Sequence, residues 1–315
     1  MFKKLMLSLA LLVNFGFGAT IDDGYSAYKK GDYKVALTIF EDLALKGDAK
    51  AQYNLGIMYS NGQGVKQDYK KAIEYYEKSA SQGNTTAQYN LGVMYSNGQG
   101  VKQDYKKAFE WWEKAANQGD ASAQHNLGVM YGNGQGVKQD YKKAIEWYEK
   151  AANQGYAKAQ YNLGVMYSNG KGVKQDYKKA IEWYEKAATQ GYVDAQYNLG
   201  LMYYNGQGVR QDYKKAFEWF EKAATQGVAK AQYNLGLMYL NGLGVKQDYK
   251  KAFEWFEKAA TQGYVDAQYN LGIMYDNGEG VRQDKKRAKE YFGKACDGGL
   301  QIGCDNYKIL NQQGY

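Results

Sequence analysis

Ala51-Gln52-Tyr53-Asn54-Leu55-Gly56 returns unchanged from Ala87, Ala159, Ala195, Ala231 and Ala267, and from Ala123 it returns with His125 in place of the tyrosine. The step is 36 residues every time, with no insertion or deletion. Self-similarity at such a period marks a stacked array, in which each unit is one supersecondary element unable to bury its apolar face alone. Arrays of this kind present a long surface to a partner more readily than they enclose a catalytic pocket.

The rest of the unit is read outward from that hexapeptide, over residues 51–86. Ala51, Leu55, Met58 and Tyr59 fall at helical spacing, which predicts a helix over 50–60. Asn61-Gly62 ends it, glycine supplying the left-handed residue of a C-cap, and Gly64 is expected to keep the following loop open. Asp68 is a suitable N-cap for a second helix, whose apolar face is Ala72, Tyr76 and Ser79 or Ala80 through about residue 81, where Gln82-Gly83 stops it. Gly56, lacking a Cβ, lets the two helices approach closely, with Ala72 opposite it and Tyr59 and Tyr76 as fillers. Each unit is then an antiparallel helix pair.

The motif Ala51…Leu55-Gly56-x-Met58-Tyr59, Gly62-x-Gly64-Val65, Asp68, Lys71-Ala72, Tyr76…Lys78 and Gln82-Gly83 resembles the Sel1-like repeat, the longer relative of the tetratricopeptide repeat. The resemblance runs over roughly residues 48 to 298 and implies an all-α, right-handed superhelical solenoid of antiparallel helix pairs. Seven such repeats are expected in 48–299. Ahead of them, Gly31-Asp32-Tyr33 aligns with Gln67-Asp68-Tyr69, Ala36 with Ala72, and Gly24 with the first-helix glycine across a shorter loop. Residues 19–47 therefore read as a tetratricopeptide-like N-terminal cap, and 300–315 as a C-terminal capping helix and tail that lacks the Leu-Gly pair. Terminal units differ because one face meets water.

Lys3 and Lys4, the apolar run Leu5–Phe17 and the small residues Gly16 and Gly18 read as a secretory signal peptide over residues 1–18, cut after Gly18 or Ala19. The apolar run is too short to span a bilayer, and no later segment resembles a membrane span. The expected location is therefore outside the cytoplasm, periplasmic or extracellular. In that setting the isolated pair Cys296 and Cys304 reads as a disulfide. The placement is similar to that in an exported cysteine-rich subfamily of Sel1-like proteins, which carries such a pair in most repeats. The net charge of +8 becomes +6 without Lys3 and Lys4. It arises from copying a unit with interleaved signs, in which Lys70–Glu74 and Glu74–Lys78 are spaced as i,i+4 pairs on a solvated helix face. No nucleic-acid patch is read from it.

If the first helices line a concave face, as in tetratricopeptide arrays, that face carries two columns. One is Tyr53, Tyr89, His125, Tyr161, Tyr197, Tyr233 and Tyr269; beside it run Asn54, Asn90, Asn126, Asn162, Asn198, Asn234 and Asn270. Related repeats use asparagine there to hold a peptide, while the alternative is that these amides satisfy neighbouring backbone. Two columns vary in a chain that otherwise repeats itself: Ser60, Ser96, Gly132, Ser168, Tyr204, Leu240, Asp276, and Gln63, Gln99, Gln135, Lys171, Gln207, Leu243, Glu279. The second-helix column Tyr75, Trp111, Trp147, Trp183, Trp219, Trp255, Tyr291 is expected to be partly buried between repeats.

Some exported cysteine-rich Sel1-like proteins are described as penicillin-binding or as β-lactamases, which sets the alternative function. The chain holds one histidine, too few for the usual zinc sites, so neither a metal nor a cofactor is expected. Ser26…Lys29 and Ser168…Lys171 match Ser-x-x-Lys, but Ser-Asp-Asn and Lys-Thr-Gly are missing. The expected function is a non-catalytic scaffold whose partner is a protein or peptide, with a cell-envelope component as the second partner class.

Overall fold

The computed structural model describes residues 18–315, so the signal-peptide reading lies outside the described residues except at its cleavage point. The described residues form seventeen helices and no strand. The chain divides into two compact units, Met1–Ala151 and Ala152–Tyr315. The first unit carries α1 (Ile21–Lys30), α2 (Tyr33–Leu45), α3 (Ala49–Asn61), α4 (Tyr69–Ser81), α5 (Thr85–Asn97), α6 (Tyr105–Asn117), α7 (Ala121–Asn133) and most of α8 (Tyr141–Asn153). The second carries α9 (Ala157–Asn169), α10 (Tyr177–Thr189), α11 (Val193–Asn205), α12 (Tyr213–Thr225), α13 (Ala229–Asn241), α14 (Tyr249–Thr261), α15 (Val265–Asn277), α16 (Lys285–Asp297) and α17 (Gln301–Gln312). Within each unit consecutive helices pack on one another, giving an all-α solenoid of helix pairs.

The helix ends follow the expected chemistry. Asp68 accepts from the backbone N–H groups of Lys70 and Lys71 and starts α4. Gly62 closes α3 at φ 70°, its N–H reaching the Met58 carbonyl. The first helices start in two ways. Asp48, Asn84 and Asp120 cap theirs through the side chain. Tyr156, Tyr192, Val228, Tyr264 and Leu300 stand in the same place without a capping bond. Losing such a cap typically costs about 0.5–2 kcal/mol, so the second unit gives up helix-start stability to put mostly apolar groups there.

The core of a repeat is a ring seated on a glycine. Ala51, Leu55, Met58 and Ala72 are fully buried, and Tyr76 is nearly so. A Cβ on Gly56 would run into the Tyr76 ring, and the same holds for Gly92 under Trp112 and Gly128 under Tyr148. In the second unit Gly164, Gly200, Gly236 and Gly272 seat Tyr184, Phe220, Phe256 and Phe292. The close approach is therefore helix against aromatic face; Ala72 is not the group opposite Gly56. Gly64 also differs from its expected part. At φ +73°, a Cβ on it would lie 2.7 Å from the Tyr33 carbonyl oxygen. Within each unit the glycine lets the loop rest on the first turn of the preceding second helix, which is a packing requirement between repeats.

Neighbouring repeats are also joined by glutamines. Buried Gln88 donates from Nε2 to the Ala80 carbonyl at 3.1 Å, and its Oε1 accepts from Gln118 at 2.7 Å. Gln52 and Gln124 do the same toward Ala44 and Ala116, and in the second unit Gln196 and Gln232 do so toward Ala188 and Ala224. Each adds a second donor to a helix C-terminal carbonyl that already accepts a backbone N–H, as that of Ala80 does from Gly83 at 3.0 Å. Donor and acceptor residues are always 8 apart. Cys296 and Cys304, also 8 apart, occupy the last of these positions and are disulfide-bonded, with Cα atoms 4.5 Å apart. The bridge is the covalent counterpart of the glutamine clamp. Its reduction should release a constraint on the order of 2–3 kcal/mol and loosen α17 first, because array contacts are nearest-neighbour. Hydrogen exchange with and without reductant checks this: protection should fall over 301–312 and hold over 85–117. A uniform loss would contradict it.

Candidate functional site

The tyrosine and asparagine columns lie side by side within each unit, with tyrosine–asparagine hydrogen bonds at the two ends of the array. Asn54 is buried, donating from Nδ2 to the Lys50 carbonyl at 2.7 Å and to the Tyr25 hydroxyl at 3.3 Å. One repeat on, Asn90 lies beside the hydroxyls of Tyr53 and Tyr76, near enough to oppose the rise in pKa that burial gives them. In the second unit Asn198 lies in the same way beside Tyr161 and Tyr184, Asn234 beside Tyr197, and Asn270 beside Tyr233. Asn306 closes the series on Tyr269 at 3.4 Å. The ladder rings lean on the aromatics over the glycines: Tyr53 on Tyr76 at 5.9 Å, Tyr161 on Tyr184 at 5.8 Å, Tyr197 on Phe220 at 5.8 Å, Tyr233 on Phe256 at 5.7 Å and Tyr269 on Phe292 at 5.6 Å. His125 takes the tyrosine's place against Tyr148 at 5.7 Å, with Nδ1 3.3 Å from Asn126 Oδ1. Tyr89 receives the Trp112 indole N–H on its carbonyl oxygen. Asn162 sits half-buried in its column.

Burial raises the pKa of Tyr53, Tyr161, Tyr197 and Tyr233 above the ordinary phenol value, and that of Tyr76 to about 12. These hydroxyls stay protonated at neutral pH. They can donate to a ligand. The amides are thus partly committed to structure, and the half-buried tyrosine rings are the part of the ladder open to a partner.

The varying column beside the ladder has a physical basis. Gln67 donates to the Ser60 carbonyl at 2.7 Å, and Gln139 to that of Gly132 at 2.8 Å. Gln211, Gln247 and Gln283 do the same to Tyr204, Leu240 and Asp276, each at 2.8 Å. What holds this position in every repeat is its backbone, and its side chain varies, Tyr204 packing on Tyr213 and Asp276 pairing with Lys285 where they occur. Ser60 and Gln99, one from each varying column, line a recess of 370 Å³ with Ile57, Tyr76, Asn90 and Val93.

The second-helix aromatics are half-buried as expected, but each is covered by a lysine. Lys114 lies 4.0 Å from the Trp111 ring centroid, Lys150 3.7 Å from Trp147, Lys186 3.9 Å from Trp183, Lys222 4.0 Å from Trp219 and Lys258 3.9 Å from Trp255. Lys78 goes to Tyr75 in the same way, and neither it nor Lys70 closes an ion pair with Glu74. This corrects the i,i+4 reading. A desolvated ring face at i−3 competes with an exposed carboxylate worth only about 0.3–0.5 kcal/mol. Among the described residues no group of three or more His, Cys, Asp or Glu is placed to hold a metal, and no helix is long and apolar enough to cross a membrane.

Sequence reasoning singled out the ladder and the varying columns and missed the glutamine clamp. Its signal was present: Gln52 recurs as strictly as Tyr53 and Asn54, and Cys304 stands in its column. The uncapped first-helix starts were also missed, although the change from Asp48, Asn84 and Asp120 to Tyr156 and Tyr192 is written in the sequence.

A family model described as Sel1 repeat matches residues 49–84, 85–120, 121–156, 157–192, 193–228, 229–264 and 265–300. The crystal structure of a protective antigen of uropathogenic Escherichia coli strains, displaying an SLR fold, superposes with a TM-score of 0.89 at 39% identity. The match covers 93% of this chain and 64% of the antigen, so this chain spans less than two thirds of that protein's length. A Sel1 repeat protein from Oxalobacter formigenes superposes with a TM-score of 0.75 at 36% identity, over 96% of this chain and 90% of that one. No curated protein matches.

Proposed function

The chain belongs to the Sel1 repeat family, and we propose that it is an exported, non-catalytic scaffold that binds a protein or peptide along the face formed by its first helices. The observation that carries this reading is the pairing of constancy and freedom on that face. A ladder of half-buried tyrosines repeats at fixed spacing, and beside it runs a column whose backbone is clamped and whose side chains differ: Ser60, Ser96, Gly132, Ser168, Tyr204, Leu240, Asp276. Such a surface offers a similar aromatic contact to each segment of a bound chain and a different neighbour beside each one. A repeat scaffold fits a protein-binding role, since each unit adds only a small patch and affinity accumulates over several. Export is supported by the Cys296–Cys304 bridge, because disulfides persist in oxidising compartments.

The test begins with capture of a partner from cell-envelope fractions by the protein lacking residues 1–18. Tyr161→Ala combined with Tyr197→Ala should weaken that partner by more than about 1 kcal/mol, as truncated aromatic anchors do. Lys178 and Lys214 are exposed on second helices, and their replacement by alanine should change little at physiological salt, where exposed charges are screened. Loss of binding in the lysine variant alone would move the site to the second-helix face.

A further inference from the structure

The second unit contains two places where a pair of tyrosine rings meets a carboxylate. Tyr161 packs against Tyr192 with 5.0 Å between ring centroids and 41° between planes, and Tyr233 against Tyr264 at 5.0 Å and 45°. Tyr192 and Tyr264 occupy the uncapped starts of α11 and α15. Two residues on, in the first turn of each helix, come the exposed carboxylates Asp194 and Asp266. Each carboxylate lies close enough to raise, behind the larger effect of burial, the pKa of both tyrosines of its pair. Neither aspartate closes an ion pair. The intervening repeat lacks the arrangement, with Val228 at the helix start and Lys230 in the carboxylate position. The first unit lacks it too: Asn84 with Thr86 and Asp120 with Ser122 occupy these places, and there the polar residue caps its helix.

Two ring faces set at an angle attract a cation through their quadrupoles, and a carboxylate at the mouth adds a full opposite charge. The coincidence matters most. Ring pair and carboxylate occur together twice, at the expense of a helix cap each time; Lys230 stands where the second ring is missing, and Lys158 follows Tyr156, where the ladder column holds His125 instead of tyrosine. Resting on the reading of the first-helix face as the binding surface, we propose that these two corners receive cationic side chains, lysine or arginine, of the bound protein segment. The corners are two repeats apart, so the segment carries two such residues, with Lys230 between them facing a neutral or acidic one.

The probe is an acetylated, amidated oligolysine peptide titrated into the full chain by calorimetry. The protein's own net charge of +8 disfavours diffuse attraction of this probe, so binding reports a local site. Asp194→Asn with Asp266→Asn should weaken binding about tenfold or more, since two charge-assisted contacts are lost together. Tyr192→Phe with Tyr264→Phe should keep it within about twofold, because the ring face persists, whereas the matching leucine variant should lose it. Glu182→Gln with Glu218→Gln, on exposed second-helix positions, should leave it unchanged. Circular dichroism confirms that each variant is folded. Unaltered binding in the asparagine variant, or binding retained with leucine, overturns the proposal. Tyr197 belongs to neither corner and separates the two readings. A captured partner that still depends on Tyr197 while oligolysine ignores the corners removes only this proposal. A partner indifferent to Tyr197 and Tyr161 removes the first-helix face itself.

Discussion

Replacing Gly128 with leucine should cost about 1–3 kcal/mol, the usual range for overpacking a filled core. A Cβ at this position would stand 2.5 Å from Cδ1 and Cε1 of Tyr148, and that ring is itself buried and backed by His125. The ring has nowhere to go, so α7 and α8 must separate. Four residues on, a Cβ at Gly132 would meet only Ala144 Cβ and the Tyr148 hydroxyl, each at 3.9 Å. Gly132→Ser copies Ser96 and Ser168 and should be nearly silent. Urea denaturation of the two variants, with hydrogen exchange over 121–151 to locate the damage, makes the comparison. Equal destabilisation would mean that the core and varying columns have been interchanged.

Gly136→Ala should be more damaging than its size suggests, at about 2–4 kcal/mol from backbone strain and steric conflict together. The residue has φ +70°, which an alanine adopts at a cost of about 1–2 kcal/mol. Its new methyl would also lie 2.5 Å from the Tyr105 carbonyl oxygen and 2.7 Å from the carbon. That oxygen is backbone in the first turn of α6 and cannot rotate aside as a side chain can. Gly83→Ala is the comparison. It too is left-handed, at φ +88°, but nothing lies within 4 Å of its Cβ position. The excess loss at Gly136 over Gly83, measured by chemical denaturation, isolates the contact between neighbouring repeats. No excess would mean that the loop does not bear on the preceding helix.

Much of the fold was legible because the features that decide it are local. The spacing of Ala51, Leu55 and Met58, the stop at Gly62 and the cap at Asp68 set the helix ends to within a residue or so of those observed. The candidate face was less legible. In a closely copied array Gln52, Tyr53 and Asn54 recur together, so recurrence cannot say which is buried for packing and which faces a partner. Their roles depend on groups outside the unit: Gln52 on the Ala44 carbonyl and Asn54 on the Tyr25 hydroxyl. No periodicity reports a partner that lies in the preceding repeat. The lysines were misread for a related reason. Helical spacing places Glu74 and Tyr75 at comparable reach of Lys78, and only the burial around the ring decides between them.

The glutamine clamp has a bearing on heredity. Gln88 reaches back to Ala80, and Gln124 to Ala116, through identical geometry. Excising residues 85–120 as a block would bring Gln124 to the carbonyl that Gln88 now holds and would leave Asn84 to start the following helix, as it starts α5. Every join in the first unit is then the same join. Unequal crossing-over between copies can add or remove whole cassettes without creating a junction that has not already been tried. The number of repeats can thus change in one genetic event, ahead of any change in the contacts that keep the chain folded.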